Sequence, residues 1–399
     1  MEMFTGVEYL KLDIANSFGL DKALFAERLA WVNRHLHELE DLWEQADEPM
    51  LYISGVMALR DAQAGMPIGH LVAFDACSSG LQLMAVMGGC LVTARNTGLV
   101  DPMVRSDIYT QCTQEMQQRV TLTPVDRKEV KQALMTRFYG SVANPKAIFG
   151  EDTPELAAFY AATQAVAPGP SDLMQDMLNA WQDGALEHRW TLPDGFVVHV
   201  KVMQQKLAKF EVDELNHATF SHIVYVNEGE KKGISLPANI VHSVDALVVR
   251  EMNRRCNYDR AKVEKLQHAV SQELTARCVP VQDVSTQPFE QFLGTNVVLA
   301  TRMDKLAGYS SEGLQRIYSR CCQLLRYEPF PIVCIHDSFK SHANDMNWVR
   351  LNYIEILAEL ADSTILQDIL REITGTNGTL VKSTPDLSQY IRQSNYALS

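Results

Sequence analysis

The chain has 399 residues, 46% of them hydrophobic and 21% charged, with a formal net charge of −13. That length supports two or three domains, or one large multi-part fold with ample core, and the composition excludes a disordered or fibrous chain. The strongly acidic balance is the wrong sign for gripping phosphate over a broad surface, so any nucleic-acid contact has to be local or supplied by a partner.

The first residues show neither the basic-then-apolar pattern of a secretory signal nor the arginine-rich pattern of a transit peptide. Helices are predicted from about Glu2 to Leu59, where Leu24, Phe25, Leu29 and Trp31, then Leu36, Leu39, Leu42 and Trp43, recur at helical spacing. After a turn at Gly65–Gly69, the apolar run Leu71–Phe74 reads as a buried strand that stops at Asp75. Ser78 or Ser79 is expected to cap the next helix, which Gly80 allows to approach closely and which continues through Met87. The longest weakly polar stretch, Leu81–Ala94, is too short to span a bilayer, so no membrane-spanning helix and no membrane partner are expected.

A punctuated helix follows. Thr123-Pro124 suggests a cap and a first-turn proline, Asp126 favours the positive helix end, and Tyr139-Gly140-Ser141 ends it. Arg127, Lys131, Leu134, Met135 and Phe138 fall within one broad face of it. Ala167–Ser171 reads as a loop, followed by a helical stretch through Trp181. Leu192–Gly195 is a turn entering an alternating strand, and His222–Val226 returns through Ile234 as a β-hairpin with its charged tip at 227–233. Residues 243–330 read as mainly helical, looser between Val279 and Phe289, and Trp348–Ile373 as amphipathic helix. Between them, Pro331–Ile335 is a second apolar run, closing on His336-Asp337-Ser338-Phe339.

The eight cysteines are scattered without a C-x-x-C, which suits reduced, buried thiols and a cytosolic setting. Zinc through Cys334 and His336 lacks the flanking spacing of a structural site. Asp75 and Asp337 are different: a carboxylate at the end of a buried strand is held by rigid backbone, which suits a metal ligand. The i, i+4 cations Arg127 and Lys131 are, taken alone, a solvated helix surface. Two metal-binding carboxylates together with a cationic helix for a polyphosphate are the equipment of nucleotidyl transfer.

Three ordered motifs resemble those of the single-subunit RNA polymerases of phages and mitochondria. Asp75-x-x-x-Ser79-Gly80-x-Gln82 resembles motif A, Arg127-x-x-x-Lys131-x-x-x-Met135-x-x-x-Tyr139-Gly140-Ser141 motif B, and His336-Asp337-Ser338-Phe339 motif C. Gly6–Lys11, Pro193-Asp194-Gly195-Phe196, Val241-His242-Ser243-x-Asp245 and the tail from Asp386 to Ser399 extend the similarity along nearly the whole chain. The resemblance implies an α+β, mostly helical fold: a right-hand polymerase palm and fingers with a small antiparallel palm sheet, lacking the N-terminal domain and most of the thumb. Residues 1–66 would be a helical module beside the palm, 67–95 palm with motif A, 96–241 fingers with motif B and a hairpin, and 242–399 palm with motif C, an added helical element at about 255–325 and a C-terminal tail.

In such an enzyme two magnesium ions would sit on Asp75 and Asp337 with the Ala76 carbonyl. Lys131 would meet the triphosphate as general acid or charge stabiliser, with Arg127 and Met135 alongside. Tyr139 would close over sugar and base, Gly140 would leave room for the template, and His242 would lie near the ribose. His336 and Ser338 would place the primer end. Gly80, Ser338 and Tyr139 favour ribonucleotides over the related family-A-like DNA polymerases. A non-catalytic, polymerase-like DNA-binding subunit is the alternative from another class. The implied partners are DNA template, RNA product, ribonucleoside triphosphates, a second smaller subunit supplying the thumb and an absent Arg-Gly-Arg palm segment, and a promoter-recruitment protein. The implied location is the cytoplasm of a bacterial host during phage infection.

Overall fold

The computed structural model describes residues 1–120, 124–277, 306 and 308–399. Thr5 starts helix α1 (Gly6–Ala15) with a capping box: the Glu8 N–H donates to its hydroxyl at 3.3 Å, and its own N–H donates to the Glu8 carboxylate at 2.7 Å. α1 packs with α2 (Phe25–Arg34) and α3 (Pro49–Gln63) through Tyr9, Leu12, Phe25, Tyr52 and Val56, all fully buried. Strand β1 (Leu71–Asp75) lies on this layer. Val72 and Phe74 face inward while Asp75 faces out, the period-two alternation of a half-buried strand. Phe74 meets Phe25 and Tyr9, and the buried Arg350 guanidinium lies over these rings. The backbone behind Asp75 is therefore packed on both sides of Phe74.

Helices α4 (Ser79–Gly88), α5 (Leu91–Asn96), α6 (Ile108–Gln117), α7 (Arg127–Arg137), α8 (Ala143–Phe149), α9 (Pro154–Val166) and α10 (Pro168–Asn179) follow. Two antiparallel pairs come next, β2 (Glu187–Thr191) with β3 (Val197–Lys201), and β4 (Met203–Val212) with β5 (Ala218–Asn227). Gly195, at φ 80°, makes the turn of the first pair. Then α11 (Leu236–Cys256), α12 (Arg260–Ala276) and α13 (Ser311–Leu324) lead to β6 (Val333–Ile335) and β7 (Ser338–His342). Helices α14 (Met346–Asp362), α15 (Ile365–Thr374) and α16 (Leu387–Ile391) complete the elements. The central sheet has the order β1-β7-β6, all antiparallel, so β1 is an edge strand. The architecture is mostly helical with small antiparallel sheets, as expected from sequence.

Several local expectations need correction. Ser78 precedes α4 at φ 61° and its side chain caps nothing; its hydroxyl is turned toward the Tyr109 phenol instead. Helix α7 begins at Arg127, capped by the Asp126 carboxylate on the Lys128 N–H at 2.9 Å; Pro124 stays outside it, and Thr123 lies outside the described residues. Pro168, Gly169 and Pro170 form the first turn of α10 rather than a loop, because first-turn residues need no intrahelical N–H donor. The longer hairpin is β4–β5, turning at 213–217 where Asn216 and His217 both have positive φ. Residues 228–235 lead into α11 instead of returning as a strand. The C-terminal amphipathic stretch is two helices broken at Ser363 and Thr364. The looser segment expected at 279–289 lies outside the described residues. On either side of it α12 and α13 pack together.

Candidate active site

The β1–β7 register sets Asp75 opposite Ser338, and the Ala76 N–H donates to the Asp337 carbonyl at 3.1 Å. The two strand-end aspartates therefore meet at one end of the central sheet. His336, at φ 55°, makes the tight turn between β6 and β7 that aims Asp337 back at β1. Neither aspartate side chain has a hydrogen-bond or ion-pair partner among the described residues. Both line a cavity of about 620 Å³, together with Ala76, Ser338, Arg127, Lys131 and Met135.

Helix α7 forms the cationic wall. Its face Val130, Ala133 and Leu134 is buried, and Arg127, Lys131 and Met135 project from the other side. The expectation of one shared face for Arg127 through Phe138 is thus divided: Leu134 and Phe138 anchor the helix, and the i, i+4 stripe points at the cavity. Arg127 is held in an ion pair with Asp107 and lies 3.0 Å from the Thr110 hydroxyl. Asp107 also caps α6 through the Tyr109 N–H at 3.1 Å. Burial works to raise the Asp107 carboxyl, but the bonds from Thr110 and Arg127 outweigh it and hold the group below the usual carboxylate range. The Lys131 ammonium stands over the Tyr109 ring, 5.5 Å from its centroid, and Arg127 lies 5.8 Å from the same ring.

Tyr139 occupies the next position. Its ring stacks on His242 with centroids 4.8 Å apart and an interplanar angle of 18°. Its hydroxyl fills the space beside Gly80, where a Cβ would lie 2.6 Å away. Burial, then the nearby Asp245 and Asp337 carboxylates, push the Tyr139 phenol above its ordinary range. A smaller cavity of about 80 Å³, lined by Gly80, Met135, Tyr139 and Asp337, adjoins this ring. Asp245 is raised in the same way, by burial first and then by Asp337. Gly140 is buried at φ 89°, where a Cβ would lie 2.6 Å from the Ile234 carbonyl, so its bare backbone packs on protein here.

Sequence reasoning found Asp75, Asp337, Arg127, Lys131, Met135, Tyr139 and His242, which the fold brings together. It missed Asp107, Tyr109, Asp13 and His70, which share the large cavity's wall. An Asp-x-Tyr helix cap was legible for Asp107, but no local pattern announces its pairing with Arg127. Glu211, Asp213 and His217 form the only cluster of metal-ligating groups of three or more among the described residues, and all three are exposed at the hairpin tip.

Comparison with known proteins bears on the segment that holds the first two motifs. Residues 4–145 match the family described as DNA-dependent RNA polymerase. A probable DNA-directed RNA polymerase of Neurospora crassa is 31% identical over 158 residues, 34% of this chain and 18% of that protein. The DNA-directed RNA polymerase of Pseudomonas phage phiKMV is 32% identical over 127 residues, 27% of this chain and 15% of that protein. The chloroplastic/mitochondrial DNA-directed RNA polymerase 2 of Arabidopsis thaliana is 25% identical over 302 residues, 60% of this chain and 29% of that protein. The matched segments of this chain are thus similar to DNA-directed RNA polymerases of phage, mitochondrial and chloroplast origin. The chain spans less than a third of the length of these relatives.

Proposed function

We propose that this chain carries the nucleotidyl-transfer centre of a DNA-directed RNA polymerase, extending an RNA 3′ end with ribonucleoside triphosphates on a DNA template. The observation that carries the reading is the meeting of Asp75 and Asp337, neither with a side-chain partner among the described residues, in the wall of a cavity that Lys131 also lines. Two close carboxylates without partners repel one another, and hard divalent cations are the usual remedy. Their oxygen donors fit magnesium, with the Ala76 carbonyl as a further donor in the proposal. When bound, magnesium would lower the cost of ionising the attacking 3′ hydroxyl and balance charge on the departing pyrophosphate.

The chain's own groups have distinct tasks in this reading. Lys131, free of any carboxylate partner among the described residues, would bind the triphosphate and hold a proton for the leaving group. Arg127, already oriented by Asp107, would reinforce it. Tyr139, steadied by His242, would cover the nucleotide, and its hydroxyl would meet the ribose 2′-OH. His336 and Ser338 would border the primer end. In polymerase terms, the β1-β7-β6 sheet with α11 and α14 would be palm and α7 with its neighbours fingers. The test is primer extension by wild type against Asp337→Asn and Lys131→Ala, with ATP and dATP in parallel. Unchanged synthesis by Asp337→Asn overturns the catalytic reading; equal use of dATP overturns the ribonucleotide reading.

The proposal includes a protein partner and a recruiting protein. Two features support it: the net charge of −13, and a β4–β5 ribbon that exposes Leu207, Phe210, Ile223 and Tyr225 to solvent. A long, uncovered apolar ribbon is an aggregation liability unless another surface meets it.

A further inference from the structure

The edge of β1 that faces away from β7 is closed by side chains and backbone. The Asp13 carboxylate, on α1, accepts the Ala73 N–H through Oδ1 at 3.0 Å. Its other oxygen lies 2.8 Å from His70 Nε2, and His70 Nδ1 lies 3.1 Å from the Ser54 hydroxyl on α3. Asp13 is 6% exposed, so it is held almost wholly by these contacts. Gly55, beside Ser54, makes room for the pair: a Cβ there would lie 3.1 Å from Ile14 and 3.6 Å from Asp13 Oδ2. Two residues beyond Ala73, the Asp75 carbonyl accepts the Ser399 N–H at 3.0 Å on the same edge. One carboxylate thus ties the residue before β1 and the middle of β1 to the helical layer.

We propose that Asp13 and His70 are a positioning pair for Asp75, setting the direction in which its carboxylate enters the cavity. An edge strand has one unpaired row of backbone groups and can shift or fray along it. Here the strand also carries a proposed metal ligand, for which displacements of about 1 Å matter. Asp13, the pair's acceptor, replaces the missing neighbour strand at the one N–H that lies two residues from the ligand. His70 then fixes the acceptor: with Nε2–H directed at Asp13, its Nδ1 accepts from Ser54, so the carboxylate cannot rotate away. Asp13, His70, Ala73 and Asp75 all border the same 620 Å³ cavity. The inference rests on the polymerase reading for the role of Asp75, but the pairing itself does not.

The test compares Asp13→Ala, Asp13→Asn and His70→Gln with Ile14→Ala, a buried α1 control whose side chain has no polar atom to bond the β1 backbone. Three quantities are measured on folded protein: deuterium exchange of the Ala73 amide, Mn²⁺ affinity by calorimetry, and the Mg²⁺ dependence of primer extension. Asp13→Ala is expected to speed Ala73 exchange and weaken Mn²⁺ binding about tenfold, with a matching rise in the Mg²⁺ required. The KM for nucleotide should move less than about twofold, because Lys131 and Arg127 are untouched. Asp13→Asn, which keeps an acceptor oxygen, should recover most of the loss, and His70→Gln should fall between. Ile14→Ala should lower the melting temperature without changing metal affinity. If Asp13→Ala does not fold, Asp13→Asn and His70→Gln decide the question by the same measurements. Wild-type exchange and metal affinity in these variants, or an equal loss in Ile14→Ala, overturns the positioning role. Synthesis that survives Asp75→Asn instead overturns the polymerase reading and leaves the Ala73 exchange result standing.

Discussion

Gly80 and Tyr139 share one small volume, since a methyl group on Gly80 would lie 2.6 Å from the Tyr139 hydroxyl. The glycine that opens α4 is therefore the seat of a phenol from beyond α7, and the contact joins two motifs in one surface. Gly80→Ala should displace the ring and cost about 1–3 kcal/mol by overpacking, read by denaturant unfolding. Tyr139→Phe removes only the hydroxyl. The ratio of kcat/KM for ATP over dATP should fall about tenfold, the value of one lost hydrogen bond.

Asp75 and Asp337 have no side-chain partner among the described residues, and their backbones adjoin through the Ala76 N–H on the Asp337 carbonyl, so neutralising either removes no contact that holds the fold. Asp75→Asn and Asp337→Asn are each expected to melt no lower than wild type in chelator, while primer extension falls by at least about a hundredfold. A large loss of melting temperature would mean that the carboxylates serve the fold.

Arg127 is oriented by Asp107, whereas Lys131 has, among the described residues, the Tyr109 ring beneath it and no carboxylate partner. Asp107→Asn keeps a side chain able to cap α6 but releases Arg127. The KM for nucleotide should rise about fivefold with little change in kcat, the effect of roughly 1 kcal/mol of lost orientation. Lys131→Ala should act mainly on kcat. Steady-state kinetics across a nucleotide series separates the two.

Asp194 sits in the β2–β3 turn with its side chain 1% exposed, 2.6 Å from Arg250 and 3.1 Å from Arg254 on α11. Burial opposes its ionised form, but the two guanidinium groups prevail and hold the carboxyl below its ordinary value. A depressed carboxyl stabilises the fold above the unfolded value of about 3.9 and loses that contribution as the pH falls through the folded value. Asp194→Asn should cost about 3 kcal/mol at pH 7. The difference from wild type should shrink as the pH falls below about 4, followed by thermal melts across a pH series.

Much of the site was legible because it obeys local rules. An apolar run that stops near a carboxylate marks Asp75 and Asp337, and helical spacing marks Arg127, Lys131 and Met135. β6 is nevertheless not the buried strand expected, since Val333 and Ile335 are exposed. Local rules failed where a choice between neighbours depended on distant packing. The hairpin tip lies at 213–217, where Asn216 and His217 have positive φ, and not at 227–233, although Gly229 and Gly233 made that stretch an equally good local turn candidate. The Pro168-Gly169-Pro170 segment read as a loop, although a helix start also tolerates proline.

The sequence by itself determined which residue types stand at strand ends and helix faces, since that depends on patterns repeated over a few residues. It also carried the resemblance to polymerases, because spaced motifs are legible without any knowledge of contacts. Only the tertiary structure decided which groups meet: Asp75 with Asp337, Arg127 with Asp107, Gly80 with Tyr139, Asp13 with Ala73. Those pairings follow from strand register and helix packing, which are set by how the whole core closes. No local stretch of chain carries that information.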